Sequence, residues 1–232
     1  MSVRLQSGQI IEDRVWGTEP LKGLASAVPW RVFRWRKGQK HYSGTYWSAT
    51  MCDHVIYESR LELARLLLAD FDPSVRRIVA QPFLLKAVLE GKVRKHIPDY
   101  LLVTEQGPVV VDVKPLHRLA IPEVAFTFEW TRRTVESKGW KYEVWSEPPT
   151  AELENVRFLA GYRRDWLFSS DILDALRSAE LDGVALGVAG LCLPDRPEPQ
   201  VRAALCHLLW THCLMVDLGQ PLGPSSVLRR PA

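Results

Sequence analysis

The residues best placed to do chemistry in this chain are two aspartates and a lysine. The stretch His96-Ile97-Pro98-Asp99-Tyr100-Leu101-Leu102-Val103 is followed by Pro108-Val109-Val110-Val111-Asp112-Val113-Lys114. Twelve residues separate Pro98-Asp99 from Asp112-x-Lys114. Phosphodiester hydrolysis needs a hard divalent cation held by carboxylate oxygens, with a basic group beside the attacking water or the scissile phosphate. Side chains two apart on a strand face the same side, so Asp112 and Lys114 would point together into one site. The same two residues on an edge strand would equally form a plain ion pair.

The elements that must hold these residues are legible around them. Tyr100–Val103 and Val109–Val111 are apolar and β-prone, and Thr104-Glu105-Gln106-Gly107-Pro108 reads as a turn between them. Asp99 then opens one strand of a hairpin and Asp112/Lys114 closes the other. Near-continuous apolar runs imply a sheet covered on both faces, where a charge is costly unless it has a task. Upstream, Ile56 to Ala69 has strong helix propensity and stops at Asp70-Phe71-Asp72-Pro73. Glu58 and Glu62 share a face of that helix, with Arg65 after them. They supply either a third carboxylate or a solvated stripe opposite the leucines.

The chain resembles the TnsA-type endonuclease subunit of heteromeric transposases, within the PD-(D/E)xK nuclease superfamily. The resemblance rests on Ser59-Arg60-Leu61-Glu62, Val79-Ala80-Gln81-Pro82-Phe83, Pro98-Asp99-Tyr100 and Val111-Asp112-Val113-Lys114-Pro115, and covers roughly residues 28–150. It implies catalytic residues Glu62, Asp99, Asp112 and Lys114. Glu62, Asp99 and Asp112 would be the ligands of Mg²⁺ (Mn²⁺ as a substitute), and Glu58 and Gln81 accessory. Some members carry Gln where this chain has Asp112, and Asp is the stronger metal ligand. The resemblance also implies nicking of double-stranded DNA at transposon ends, beside a DDE-type transposase subunit and under an ATPase regulator.

The formal net charge of +3 is unevenly spread. Residues 1–50 hold eight Lys/Arg against three acids, residues 51–150 fourteen of each, and residues 151–232 eight against ten. The basic end is also aromatic, Trp30-Arg31-Val32-Phe33-Arg34-Trp35-Arg36-Lys37-Gly38-Gln39-Lys40. Arg31, Arg34, Arg36, Lys37 and Lys40 are the candidate DNA contacts, able to track a phosphate backbone. A hairpin turning at Lys37-Gly38 with a solvated basic face is the alternative, and both can hold at once.

The chain is 47% hydrophobic and 25% charged, enough for a packed core. No apolar run approaches the ~20 residues of a membrane span, and no apolar leader follows Met1, so a soluble cytoplasmic protein is expected. Cys52, Cys192, Cys206 and Cys213 show no framework spacing, which suits reduced thiols. Cys206-His207 and His212-Cys213 do not match the usual paired zinc spacings.

The expected class is α/β, a restriction-endonuclease-like PD-(D/E)xK core with a small C-terminal winged-helix-like module. Residues 1–50 are expected as an N-terminal arm (irregular over 1–27) and basic hairpin, 51–148 as the endonuclease core, and 151–232 as the C-terminal module. Within the core the order is a helix at 56–69, then strands near 75–80, 83–89, 92–97, 99–104 and 109–114. A helix at 121–138 and a strand at 140–145 follow. Ser146 to Thr150 reads as a linker. Beyond it, helices capped near Ser169-Ser170-Asp171 and running from Pro199 to His212 precede two strands, 214–218 and 226–229. The functional expectation is a transposase endonuclease subunit. The alternatives are a stand-alone restriction- or repair-type nuclease and a non-catalytic DNA-binding assembly module on the same fold.

Overall fold

The computed structural model describes residues 1–18, 20–31 and 42–231. The chain divides into two units, Met1–Glu147 and Pro148–Ala232.

The first unit is built on a four-stranded mixed sheet. Strand β1 (Val3–Arg4) pairs with β2 (Ile10–Ile11), and α1 covers Leu21–Ala25. Strands β3 (Gly44–Ser48) and β4 (Asp53–Tyr57) form a hairpin that leads into helix α2 (Arg60–Phe71). Then come β5 (Val75–Ala80), the hairpin β6 (Leu85–Leu89) and β7 (Lys92–His96), and the hairpin β8 (Tyr100–Thr104) and β9 (Gly107–Val113). Helix α3 (Pro122–Glu136) and strand β10 (Lys141–Trp145) close the unit. The sheet order is β10-β9-β8-β5, with β5 and β9 antiparallel to β8 and β10 parallel to β9.

The two helices cover opposite faces. Successive strand residues alternate faces. Leu101 and Val110 lie in one apolar cluster with Phe128, Trp130 and Val135 of α3. Tyr100, one residue on, sends its hydroxyl to the carbonyl of Glu62 in α2 at 3.4 Å. Arg65 of α2 reaches Glu143 of β10 through two 3.1 Å contacts, so this ion pair sets the helix over the parallel strand. The stripe Glu58/Glu62/Arg65 is therefore not simply solvated.

Several boundaries differ from the sequence expectation, each for a physical reason. Helix α2 starts at Arg60, not at residue 56, because Ser59 caps it: its hydroxyl accepts from the Glu62 amide at 3.1 Å. Residues 53–57, expected in part as helix, are β-branched or aromatic at Val55, Ile56 and Tyr57 and pair with 44–48. Arg34, Arg36, Lys37 and Lys40 of the expected basic hairpin, with its turn at Lys37-Gly38, lie outside the described residues; residues 44–48 pair with 53–57 across a turn at Ala49–Cys52. The expected irregular arm carries structure. Ser2 and Leu84 exchange backbone hydrogen bonds at 2.9 Å, and Met1, Val3 and Leu24 are buried in the α3-side cluster. Apolar side chains at a chain start are as useful to the core as any others.

The second unit is mainly helical: α4 (Thr150–Leu159), α5 (Ser170–Ser178), α6 (Leu186–Ala189) and α7 (Glu198–Trp210). Helix α4 has no counterpart in the sequence reading. The two expected strands appear only as single bridges, Met215 with Arg229 and Ala185 with Val227. Pro221 and Pro224, with Gly219 and Gly223, lie in the connection between the two expected strands. His207 is 2% exposed, stacks on Phe168 and meets the Tyr162 carbonyl at 2.8 Å. Among the described helices none is long and apolar enough to cross a membrane.

Candidate active site

Asp99 stands where β8 begins, opposite the end of β9. The register Tyr100 with Val111 makes Asp99 and Asp112 neighbours across the strands. The Val113 amide donates to Asp99 Oδ2 at 2.7 Å. That bond is the only one the Asp99 carboxylate makes among the described residues, and it fixes the side chain against the Asp112-x-Lys114 strand end. Burial pushes the Asp99 carboxyl well above the usual carboxylate range. The negative charges of Asp112 and Glu62 push it further, against the pull of the Val113 amide and the Lys114 ammonium. The Lys114 ammonium makes no hydrogen bond or ion pair among the described residues; its backbone amide donates to the Trp145 carbonyl at 2.9 Å and its carbonyl accepts from the Ser146 hydroxyl at 2.8 Å.

Glu62 sits in the first turn of α2. Its carboxylate accepts from the Glu58 amide at 2.7 Å and the Ser59 hydroxyl at 2.9 Å. With the Ser59 cap this resembles a capping box, except that the carboxylate takes the amide one residue before the cap. Burial raises its carboxyl, the two donors lower it, and the charges of Glu58 and Lys114 act on it as well. Glu58 faces elsewhere, towards Gln81 Nε2 and the Arg31 guanidinium, the latter at 3.4 Å. Arg31 thus meets a carboxylate within the protein.

Asp112 is 2% exposed and already engaged. Nε2 of His96 lies 2.9 and 2.8 Å from its two oxygens, and the Tyr142 hydroxyl donates to Oδ2 at 2.5 Å. Burial and the Asp112 charge drive the Tyr142 hydroxyl far above the usual phenol range, so it stays a donor. His96 is wedged edge-on between Phe128 and Trp130 of α3.

The arrangement thus brings Asp99, Asp112, Lys114 and Glu62 into electrostatic contact, but not all their carboxylates onto one point. Among the described residues no three Asp, Glu, His or Cys side chains are gathered closely enough to hold a metal ion. The expected convergence of Glu62, Asp99 and Asp112 on one cation is absent from this arrangement, because a helix cap holds the first and His96 with Tyr142 hold the last. The donor chemistry nevertheless fits a hard divalent cation. The donors are oxygens, and the repulsion that raises Asp99 is what a bound cation would relieve.

His96 and Tyr142 were not singled out in the sequence. His96 had a signal, three residues before Asp99 on the same apolar approach. Tyr142 had none, since only the parallel pairing of β10 with β9 brings it to Asp112. The capping role of Glu62 was readable in the Ser-x-x-Glu spacing. No protein-family model matches the chain, and no curated protein matches it.

Proposed function

We propose that the protein is a metal-dependent DNA endonuclease acting as one subunit of a TnsA-type heteromeric transposase. The observation that carries this reading is the strand-end cluster: Asp99 pinned to β9, Asp112 beside it, Lys114 two residues on with its ammonium unpaired among the described residues, and the charge of Glu62 reaching Asp99. The mixed α/β architecture supports it too: α2 precedes the antiparallel sheet strands β5, β8 and β9, and α3 precedes the parallel strand β10, an order compatible with the resemblance.

Glu62, Asp99 and Asp112 are the residues that would hold Mg²⁺, with Mn²⁺ as a substitute. Bound there, the cation would act as a Lewis acid and lower the pKa of an attacking water. The chain's own groups do the rest. The Val113 amide orients Asp99. Lys114 presents an ammonium, free of protein partners among the described residues, to the charge growing on the scissile phosphate. The DNA surface would be the basic segment Arg31 to Lys40, and the DDE-type partner and ATPase regulator complete the machine.

The test is nicking of duplex DNA carrying a transposon end, with partner proteins and Mg²⁺. Lys114→Ala should cut ~10²–10³-fold more slowly, the cost of one lost electrostatic contact to the reacting group. Cutting at the wild-type rate would reject the mechanism. Robust cutting by the purified chain alone would favour a stand-alone nuclease. A second reading, a non-catalytic assembly module, is favoured by one observation: Glu62 and Asp112 are both engaged by protein donors. Failure of the chain to bind Mn²⁺ would select it.

A further inference from the structure

We propose that Gln81 is a positioning residue of this site, tying the start of β8 at Asp99 to the N-terminal turn of α2 and, through that turn, to the Glu62 carboxylate. The inference rests on the metal-dependent reading above.

Gln81 follows β5 directly and has φ +48°. In that left-handed region a side chain crowds its own backbone, and Pro82 restricts the residue before it further. A strained, non-glycine conformation at the end of a central strand persists only where its surroundings enforce it. Here every polar group of Gln81 is used. Its amide donates to the Asp99 carbonyl at 2.8 Å, and its own carbonyl accepts from the Trp30 amide at 3.3 Å. Side-chain Oε1 accepts from the Arg31 amide at 2.8 Å, and Nε2 donates to Glu58 Oε1. The residue is 6% exposed.

Both ends of this arrangement land on the acids. On one side Gln81 grips the main chain of Asp99. On the other it grips Glu58, whose amide donates to Glu62 Oε2 at 2.7 Å. A continuous path runs from the Asp99 carbonyl through Gln81 and Glu58 to the Glu62 carboxylate, joining elements 23 and 18 residues from Gln81. A residue needed only to fill space would be apolar, since each buried amide atom must otherwise find a partner. The same side chain also holds the Arg31 backbone amide, at the edge of the described residues.

Two variants separate strain from positioning. Glycine adopts φ > 0 without cost and alanine does not, yet both delete the side-chain amide. Mn²⁺ binding is measured by titration calorimetry on the full chain, with thermal unfolding alongside. Gln81→Gly and Gln81→Ala should both bind Mn²⁺ about 10-fold or more weakly, the usual effect of losing a group that orients metal ligands. Gln81→Gly should be the more thermally stable of the two. Equal loss of affinity at unequal stability supports positioning. Wild-type affinity in Gln81→Gly, with any loss confined to Gln81→Ala, would show that Gln81 matters only to the fold and overturn the inference. If wild-type protein binds Mn²⁺ no better than Asp99→Ala, the metal reading itself falls and takes this inference with it.

Discussion

Asp70, buried, and Asp99, part-buried, both sit in the first unit, and their surroundings are opposite. Asp70, at the end of α2, accepts four hydrogen bonds: Tyr46 hydroxyl at 2.7 Å, Ser48 hydroxyl at 2.5 Å, and the Ala49 and Thr50 amides at 3.0 and 2.8 Å. It closes the β3–β4 turn onto the helix. Asp99 accepts one amide and faces two other acids. A buried charge stabilises a fold when its lone pairs are satisfied and destabilises it when they are not. Asp70 is thus a fastener, and Asp99 is a carboxyl with a single donor and two acids beside it, held toward its neutral form. Asp112 stands between them, fully buried yet clasped by His96 and Tyr142.

The sharpest way to break this contrast is Asp70→Ala. It leaves two hydroxyls and two amides without an acceptor, and we expect a loss of about 3 kcal/mol or more of stability. Denaturant unfolding measures it, and Mn²⁺ affinity of the folded fraction should be unchanged. A loss below about 1 kcal/mol would mean the four bonds are readily replaced by water.

Asp99→Asn should act in the opposite direction. A carboxyl raised above its unfolded value keeps its proton in the folded state when the unfolded chain has released it. The folded state therefore binds more protons, and stability falls as pH rises from the ordinary aspartate range through the raised folded value. Asparagine still accepts from the Val113 amide and carries no charge, so that fall should disappear. We expect Asp99→Asn to melt a few degrees higher than wild type at neutral pH, to match it at about pH 3, and to lose Mn²⁺ binding. Thermal melts across pH check this. A variant less stable than wild type at neutral pH would place Asp99 with Asp70.

The smallest effect assigns Asp112. Tyr142→Phe removes one donor from a carboxylate that retains His96, and should cost on the order of 1–2 kcal/mol. If Asp112 is held away from a cation by this clasp, the variant should also bind Mn²⁺ more tightly than wild type. Lower stability with no gain in affinity would make Asp112 a second fastener.

Much of the fold was local and therefore readable. Val75–Ala80, Tyr100–Thr104 and Gly107–Val113 alternate or run apolar within a few residues of turn signals, and their strands fall there. Glu90 and Gly91, the two residues left between the strands expected at 83–89 and 92–97, make a tight turn with φ +51° and +71°. The failures have different causes. Strand β4 pairs with β3 across a four-residue turn, where β-branched and aromatic residues override helix propensity, whereas the buried N-terminal residues pack against partners distant in sequence, and the expected strands of the second unit meet only at single bridges.

By itself the sequence determined that Asp99 and Asp112 face each other across a hairpin, that Lys114 lies two residues beyond, and that Glu62 lies on a helix; that this helix opens only at Arg60 was decided by the structure. The relations read from sequence depend on a strand's two-residue period, a short turn and helix propensity, all within local reach. Tertiary structure decided what each acid touches. His96 and Tyr142 reach Asp112 across 16 and 30 residues, and Gln81 reaches Glu58 across 23. Such contacts exist only once β10 has paired with β9 and α2 has docked on the sheet, because no local rule fixes which distant donor meets a buried carboxylate.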